Sequence, residues 1–294
     1  MSNIAIADRV NWLGASEVAA LFDLSPYSTQ FELWHQKRGT LPGHDLDNVE
    51  RIMAGQYLEP SIAAWAAAKW DWVVTGVPEY LTNPNIPKMG ASLDFETEDG
   101  EPVEIKNVDW MIFRDGDWVY DGDDIYDCPP HFLLQVQHQL SCRPNATHAW
   151  LIVCVGGNRL HRMHIPRHNA LIAEIETRVN DFWSSVDRGV APDPNYQRDG
   201  PAITQLYTGE NEVMDLRHDT EAFEAAQAYY EAAAQVRVAE TKKKAAMAQL
   251  KVLAADSKTT LIDEGFTLKS SYIKGCVSEK KPYWRFTLNK KKEQ

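Results

Sequence analysis

The chain has little cysteine and no long apolar run. Four of its 294 residues are cysteines, and none of them forms a Cys-x-x-Cys pair, which indicates a reduced protein rather than a disulfide scaffold. No stretch reaches the roughly 20 apolar residues that a membrane-spanning helix needs. The first residues, Met1-Ser-Asn-Ile-Ala, lack the basic and then apolar pattern of a signal peptide. We therefore expect a cytoplasmic protein without a membrane partner.

The chain also lacks an excess of positive charge. Its 30 Lys and Arg residues against 42 Asp and Glu give a net charge of −12, which argues against a general nucleic-acid coat. The charge is uneven, because the segment from Asp219 to the end holds 14 basic and 10 acidic residues. Salt screens each charge beyond about 10 Å, so an acidic body can still bind DNA along a locally basic path. Net charge does not decide between these possibilities.

Hydrophobic residues make up 44% of the sequence, enough for one large domain or one domain with an appendage. Periodicity predicts helices over residues 46–70, 131–142 and 168–186, and strands over residues 72–77, 89–96, 103–108, 149–155 and 159–165. Pro60 is expected to kink the first helix or divide it in two. Residues 115–127 are acidic and are expected to form a solvated loop. The order predicts an α/β fold, a mixed central sheet flanked by helices.

The segments outside this sheet also have predicted structures. Within residues 11–22, a turn at Gly14 precedes a short helix, where Ser16 is placed as a cap or an exposed first-turn hydroxyl. Thr29-Gln-Phe-Glu32 is a capping box for a helix that ends near Gly39. Residues 220–255, rich in Ala, Glu and Lys, predict a long helix or a helical hairpin, and residues 265–288 predict basic, aromatic strands. The predicted division is a domain over 1–195 and a C-terminal extension over 196–294.

The most informative segment is a predicted hairpin over residues 90–106. A three-residue loop with Gly100 in the left-handed conformation places Asp94 opposite Glu104, on the same face as Lys106. A two-residue loop would place the two carboxylates on opposite faces. Opposed carboxylates repel unless a cation lies between them, and oxygen ligands suit Mg²⁺ or Mn²⁺. The alternative is a pair of strands whose acids are solvated on the outer face.

Two other polar patterns have a structural and a functional interpretation. Gln135, His138 and Gln139 share one face of the predicted helix, either as site residues or as an exposed polar face. His161 and His164 on one strand suggest zinc. Without a Cys-x-x-Cys partner, however, that hypothesis is disfavoured.

Several segments occur together in an informative order and spacing. They are Leu13-Gly-Ala-Ser16-Glu-Val-Ala-Ala-Leu-Phe, Ser25-Pro-Tyr-Ser, Phe31-Glu-Leu-Trp34, Gly55-Gln-Tyr-Leu-Glu59-Pro60, Ser92-Leu-Asp94, Glu104-Ile-Lys106 and Leu134-Gln135-Val-Gln137-His-Gln-Leu140. Together they resemble the lambda-exonuclease or YqaJ-type viral recombinase family of the PD-(D/E)XK nuclease superfamily. The resemblance covers about residues 9–190 and implies a restriction-endonuclease-like core, with an exonuclease domain over 1–195.

The resemblance implies a metal-dependent active site. Asp94 and Glu104 would hold Mg²⁺, or Mn²⁺ in its place, together with the main-chain carbonyl of Ile105. Glu59 would be an additional acid that supports a second metal site or the attacking water. Lys106 would position that water or stabilise the charge on the phosphate.

The resemblance also implies contacts to DNA. Gln135 would contact the water or the scissile phosphate. Three residues match positions that grip the terminal 5′-phosphate in the family: Arg9, Ser16 and Ser92. The family has a further basic residue after the catalytic lysine. Ile112 falls at that spacing here, with Arg114 close by as the candidate for the contact.

The expected function is 5′-to-3′ digestion of one strand of linear double-stranded DNA, which leaves 3′ tails for single-strand annealing. The family further implies a ring-shaped trimer, double-stranded DNA ends as substrate and an annealing protein as partner. The alternatives are an endonuclease or repair nuclease with the same metal site, and an inactive DNA-end-binding protein. A Cas4-like iron–sulfur relative is disfavoured by the scattered cysteines.

Overall fold

The structure is a computed structural model that describes residues 10–43, 49–207, 213–262 and 266–271. The chain divides into two compact units, Met1–Tyr207 and Thr208–Gln294. The predicted division into an exonuclease domain over 1–195 and a C-terminal extension over 196–294 stays a prediction. Cys128, Cys142 and Cys154 are buried free thiols, and Cys276 lies outside the described residues.

Two helical segments open the first unit. A 3₁₀ helix spans Val18–Phe22, and helix α1 spans Gln30–Arg38. The predicted capping box is confirmed at its first half, because Thr29 Oγ1 accepts the Glu32 N–H at 3.0 Å. The prediction of Ser16 as a helix cap is wrong, since Glu17 occupies that position. Ser16 lies one residue earlier and is exposed.

Helix α2 runs unbroken over Glu50–Trp70 and contains Pro60. The predicted division of this helix in two is therefore wrong. Proline removes one main-chain hydrogen bond from a helix, but packing of an apolar face supplies most of the stability of helices in proteins. In α2 that face follows the proline, where Ile62, Ala63 and Ala66 are buried against the sheet.

Among the described residues of the first unit, nine strands and four further helices follow. The strands are β1 Val74–Gly76, β2 Leu81–Thr82, β3 Gly90–Ala91, β4 Phe95–Thr97, β5 Pro102–Val108, β6 Val119–Asp121, β7 Asp124–Asp127, β8 His148–Val155 and β9 Arg159–Pro166. The helices are α3 Trp110–Asp115, α4 Pro130–Cys142, α5 Asn169–Arg188 and α6 Gly200–Leu206.

Seven of these strands form one mixed sheet in the order β1-β4-β5-β8-β9-β7-β6. Strands β5 and β8 pair in parallel, as do β7 and β9, and the other neighbours are antiparallel. Helix α2 packs on one face, against a cluster that includes Ile105 and Ile152. Helices α4 and α5 contribute Val136 and Ile172 to the cluster on the other face. The predicted α/β fold with a mixed, helix-flanked sheet is confirmed.

Two strand predictions need correction. The strand predicted over 89–96 is broken, because β3 pairs with β2 in a separate two-stranded ribbon whereas β4 joins the main sheet. The acidic segment 115–127 is not a loop but contributes the edge hairpin β6–β7. Ile125 of that hairpin is buried, and Asp124 pairs with Arg162 of β9. These contacts hold an acidic segment in the sheet.

Helix α6 lies within the first unit, where Ala202 packs in a cluster with Phe31 and Leu41. In the second unit, helix α7 is a single helix of 35 residues, Thr220–Ala254, capped by Asp219. Strands β10 (Thr259–Ile262) and β11 (Phe266–Lys269) pair as a hairpin. The rest of the strands predicted over 265–288 lies outside the described residues. No described helix is long and apolar enough to cross a membrane.

Candidate active site

The β4–β5 hairpin has the register in which Asp94 and Glu104 oppose each other. Phe95 pairs with Val103 and Glu96 with Pro102, and the Thr97 N–H donates to the Glu101 carbonyl at 2.9 Å. These pairs leave a three-residue loop that ends at Gly100, which has φ of +77°. The prediction of this loop is confirmed. If this ladder of pairs is extended by one position, Asp94 lies opposite Glu104. The Asp94 carboxylate also accepts the Ile105 N–H at 2.8 Å, which ties it to the strand that carries Glu104.

Glu104 is at the centre of the site and is 3% exposed. One carboxylate oxygen accepts hydrogen bonds from Gln135 Nε2 at 2.6 Å and from Lys106 Nζ. The other accepts a hydrogen bond from Gln139 Nε2. The structure therefore brings the predicted residues Glu104, Lys106 and Gln135 together, and adds Gln139.

The interpretation of the glutamine helix as an exposed polar face is wrong. Gln137 and Gln139 are each 1% exposed and His138 is fully buried. The helical spacing of Gln135 and Gln139 could have identified both as site residues. Nothing in the local sequence distinguishes a buried polar face from a solvated one, however, because the decisive contact is with Glu104 on another element.

The electrostatics of the site favour a bound cation. Burial and then the nearby Glu104 charge raise the pKa of Asp94 well above its usual value, while Lys106 opposes the shift. Burial lowers the pKa of Lys106, but Glu104 and Asp94 more than offset this, so its pKa is raised and it stays protonated. Burial and then Glu104 also raise the pKa of Glu59. A cation would relieve the repulsion among these carboxylates.

The donor set fits a hard divalent cation, since Asp94, Glu104 and the Ile105 carbonyl present only oxygen atoms. Glu59 on α2 is coupled to Glu104 through its charge. Within the described ranges, no group of three or more His, Cys, Asp and Glu side chains is arranged to hold a metal ion. The site therefore rests on the pair Asp94 and Glu104, with Glu59 as a neighbouring charge.

Of the three candidate residues for binding the 5′-phosphate, the structure describes two. Arg9 lies outside the described residues. Ser16 and Ser92 are both exposed, and their segments are joined because Leu13 hydrogen-bonds with the main chain of Lys88 and Gly90. The Ser92 carbonyl accepts a hydrogen bond from Gln139 at 3.3 Å, which places this residue beside the carboxylates.

Arg114 has a local partner. Its guanidinium forms two hydrogen bonds with the neighbouring Asp115, at 2.6 and 2.7 Å, and both side chains are mostly exposed. Ile112, at the family spacing, is also exposed. The role of Arg114 in DNA binding stays a prediction.

His161 and His164, which suggested zinc, pack against other rings, and the nearby His168 caps a helix. His161 is fully buried and stacks on Phe113 with ring centroids 5.1 Å apart. The rings of His164 and His148 lie 4.5 Å apart. His168 caps helix α5 by accepting the Leu171 N–H.

Comparison with known proteins finds a family that the first part of the chain resembles. Residues 6–148 match the model of the YqaJ-like viral recombinase domain, which confirms the recognition made from the sequence. The match includes the β4–β5 hairpin and helix α4, the two elements that form the site. This part of the chain is thus similar to YqaJ-like viral recombinase domains.

A curated relative and two solved structures are also similar. The protein YqaJ of Bacillus subtilis, described as uncharacterized, is 26% identical over 220 residues, which is 72% of this chain and 66% of the relative. The chain thus spans about two thirds of that relative's length. An alkaline exonuclease from Laribacter hongkongensis, LHK-Exo, is 21% identical with a TM-score of 0.49, covering 67% of this chain and 97% of the other. Its complex with dAMP is 22% identical with a TM-score of 0.48, at the same coverage.

The raised pKa of Asp94 predicts how the metal-free protein responds to pH. An acid whose pKa is higher in the folded state stabilises the fold below its unfolded pKa and loses this contribution as pH rises through the folded pKa. Asp94→Asn removes the repulsion and keeps an oxygen for the Ile105 N–H. In EDTA, we expect this variant to unfold at a higher temperature than the wild type, by more at pH 8 than at pH 5.

The matched control for this measurement is Asp99→Asn, an exposed acid in the loop of the same hairpin. Its melting temperature should follow the wild type at both pH values. With Mn²⁺ the order should reverse, because a ligand that binds only the folded state stabilises it and the Asp94 variant lacks a ligand. A wild-type protein that gains nothing from Mn²⁺ would contradict the assignment of this site.

Proposed function

We propose that the protein is a divalent-metal-dependent deoxyribonuclease that digests one strand of linear double-stranded DNA from the 5′ end. The observation that carries this proposal is the arrangement of Asp94, Lys106 and Gln135 around the buried carboxylate of Glu104. The family match supports a role in DNA recombination, in which the resulting 3′ single-stranded tails would be annealed. Nothing else in the first unit gathers catalytic groups in this way among the described residues.

Asp94, Glu104 and the Ile105 carbonyl would hold Mg²⁺, with Mn²⁺ able to substitute, and Glu59 would support a second ion or the attacking water. When bound, a divalent cation supplies Lewis-acid polarisation of the phosphate and eases deprotonation of the attacking water. The oxygen-only donor set and the raised pKa of Asp94 support this assignment.

The protein's own groups would act on water and phosphate. Lys106 is protonated beside Glu104 and can donate to the developing negative charge on the phosphate or orient the water. Gln135 uses one N–H on Glu104 and retains an amide oxygen that can accept from the water. Glu104 holds both side chains in place, so the three residues act as one preorganised group.

The 5′-phosphate would be gripped by hydroxyl and basic groups next to the carboxylates. Ser92 is two residues from Asp94, and the Leu13 to Gly90 hydrogen bond brings the Ser16 segment to the same region. Arg9 would supply a charge-assisted contact to the phosphate. Arg114 would contribute if its pairing with Asp115 opens when DNA binds.

The proposal extends to partners in recombination. Double-stranded DNA ends would be the substrate, and a single-strand annealing protein would receive the 3′ tail. A homo-oligomer, a trimeric ring by analogy with the lambda-exonuclease family, would keep the enzyme on its DNA between cleavage steps. The C-terminal extension is the candidate region for these contacts.

Digestion of a linear duplex with a 5′-phosphate, in Mg²⁺ or in EDTA, tests the proposal when a closed circle of the same sequence runs beside it. We expect loss of the linear DNA only with metal, release of mononucleotides and no cutting of the circle. Cutting of the circle would favour an endonuclease. No cleavage of either DNA, with either Mg²⁺ or Mn²⁺, would favour a DNA-end-binding protein.

A further inference from the structure

Gln139 connects the Glu104 carboxylate with the chain segment that precedes Asp94. Its Nε2 donates to Glu104 and to the Ser92 carbonyl, the latter at 3.3 Å. Both partners can only accept, so the orientation of the amide is fixed and both of its N–H groups are used. One bond reaches the strand that carries Glu104 and the other reaches the segment that leads to Asp94.

The neighbouring residue of α4 holds the same segment one step earlier. His138 is fully buried, and its Nε2 lies 2.9 Å from the Gly90 carbonyl. Burial lowers the pKa of His138 to about 4, so at neutral pH it is uncharged and donates through Nε2. Helix α4 thus contacts the carbonyls of Gly90 and Ser92 through consecutive side chains.

The main chain at Gly90 lies so close to Tyr80 and Leu81 that no side chain fits there. A Cβ at this position would lie 2.3 Å from the Tyr80 ring and 2.7 Å from the Leu81 carbonyl. The segment from Gly90 to Ser92 is therefore held between the β2 strand and helix α4. Asp94 lies two residues beyond Ser92, so its position depends on these contacts.

The chemistry of Gln139 is unfavourable for packing alone. No donor within the part of the chain that the structure describes reaches its buried Oε1, and a buried acceptor without a partner destabilises a fold. A methionine or leucine would fill the same space without that cost. The presence of an amide here therefore points to a role that needs its two N–H groups.

We propose that Gln139 is a positioning residue that fixes the spacing between the Asp94 and Glu104 carboxylates and so sets the affinity for the divalent cation. This inference rests on the proposed function. Residues that hold metal ligands in place typically change metal affinity by about 10- to 100-fold when they are substituted. Gln139 acts through Glu104 and Ser92 rather than on DNA.

The experiment compares Gln139→Met with Gln137→Met. Gln137 is equally buried on the same helix, but its amide donates to the Pro166 carbonyl and accepts the His168 N–H, away from the carboxylates. Each full-length variant is titrated with Mn²⁺ by calorimetry, and its melting temperature is measured in EDTA.

We expect Gln139→Met to weaken Mn²⁺ binding by about tenfold or more and Gln137→Met to leave it unchanged. Both variants should lower the melting temperature, because each leaves acceptors that the glutamine amide paired without their donors. Cleavage by Gln139→Met should recover in excess Mn²⁺, because the groups that touch DNA are intact. Gln139→Asn is the second variant if the methionine variant does not fold, since it stays polar but is too short to reach both acceptors.

Equal Mn²⁺ affinity for the wild type and Gln139→Met or Gln139→Asn would overturn this inference and leave the proposed function standing. A wild-type protein that neither binds Mn²⁺ nor cleaves DNA would overturn both. Equal losses of Mn²⁺ affinity in the Gln139 and Gln137 variants would show a general effect of destabilising α4, and would also overturn the positioning role.

Discussion

Asp94→Asn is expected to lower metal-dependent cleavage of linear duplex DNA by about a thousandfold or more. Asparagine keeps the size of the side chain and an acceptor for the Ile105 N–H, now 2.8 Å from the Asp94 carboxylate, so the hairpin should keep its register. What is lost is one of the two charged ligands. Charge stabilisation by a metal ion is worth several kcal/mol, and each 1.4 kcal/mol is a factor of ten in rate.

The rate of nucleotide release in saturating Mg²⁺ measures this effect, with circular dichroism to check the fold. Asp99→Asn again serves as the control, because it removes an equal charge from the loop of the same hairpin. Cleavage by Asp94→Asn within a few-fold of the wild type would remove Asp94 from the active site. An equal loss in the Asp99 variant would indicate a general effect of negative charge on the hairpin.

Lys106→Met is expected to lower the cleavage rate by about 10²- to 10³-fold, the usual cost of removing one donor that stabilises a transition-state charge. Metal binding should respond in the opposite direction. The ammonium group contacts Glu104 and competes with a cation for its charge, so its removal should leave Mn²⁺ affinity unchanged or raise it. The substitution also removes the ammonium group from the Phe132 ring, whose centroid lies 5.6 Å from Nζ.

The combination of slower cleavage and undiminished Mn²⁺ binding separates a catalytic lysine from one that only holds the site together. Lys69→Met is the matched control, since Lys69 also contacts an acid and an aromatic ring, Asp123 and Trp70, but belongs to no part of the site. If Lys106→Met lost both cleavage and Mn²⁺ affinity, the lysine would be structural. If both lysine variants kept normal rates, the proposed chemistry would be wrong.

The hairpin that carries the site could be predicted from local sequence. Gly100 adopts a positive φ that other residues seldom adopt, which fixes the loop length, and the loop length fixes the register. Once the register is known, the period of two in a strand decides which side chains share a face. The helices α4 and α5 could be predicted for the analogous reason, because their apolar periodicity is continuous.

The errors arose where contacts distant in sequence outweigh local pattern. The break between β3 and β4 exists because Gly90 and Ala91 pair with Leu81 and Thr82, a partner that the run of residues 89–96 does not reveal. The edge hairpin β6–β7 was missed because its acids suggested solvent. In the structure those acids line an edge strand, and Ile125 faces the core.

Gln139 illustrates the same limit within the site. Its helical spacing from Gln135 was visible, but whether a polar helix face meets water or a buried carboxylate depends on the docking of α4 against β5. The local sequence around Ser16 and Ser92 does not determine their function for a related reason. Exposed hydroxyls acquire a function only through a ligand, and both lie beside the segment that the structure places next to Glu104.

The most direct test of the metal site is a crystal of the protein soaked in Mn²⁺, with the anomalous signal used to locate the ion. We expect a peak between the carboxylates of Asp94 and Glu104 and close to the Ile105 carbonyl, within coordination distance of each oxygen, and no such peak in Asp94→Asn. The acidic hairpin β6–β7 provides an internal comparison. Mn²⁺ bound there, with none between Asp94 and Glu104 at a concentration that supports cleavage, would contradict the proposed active site.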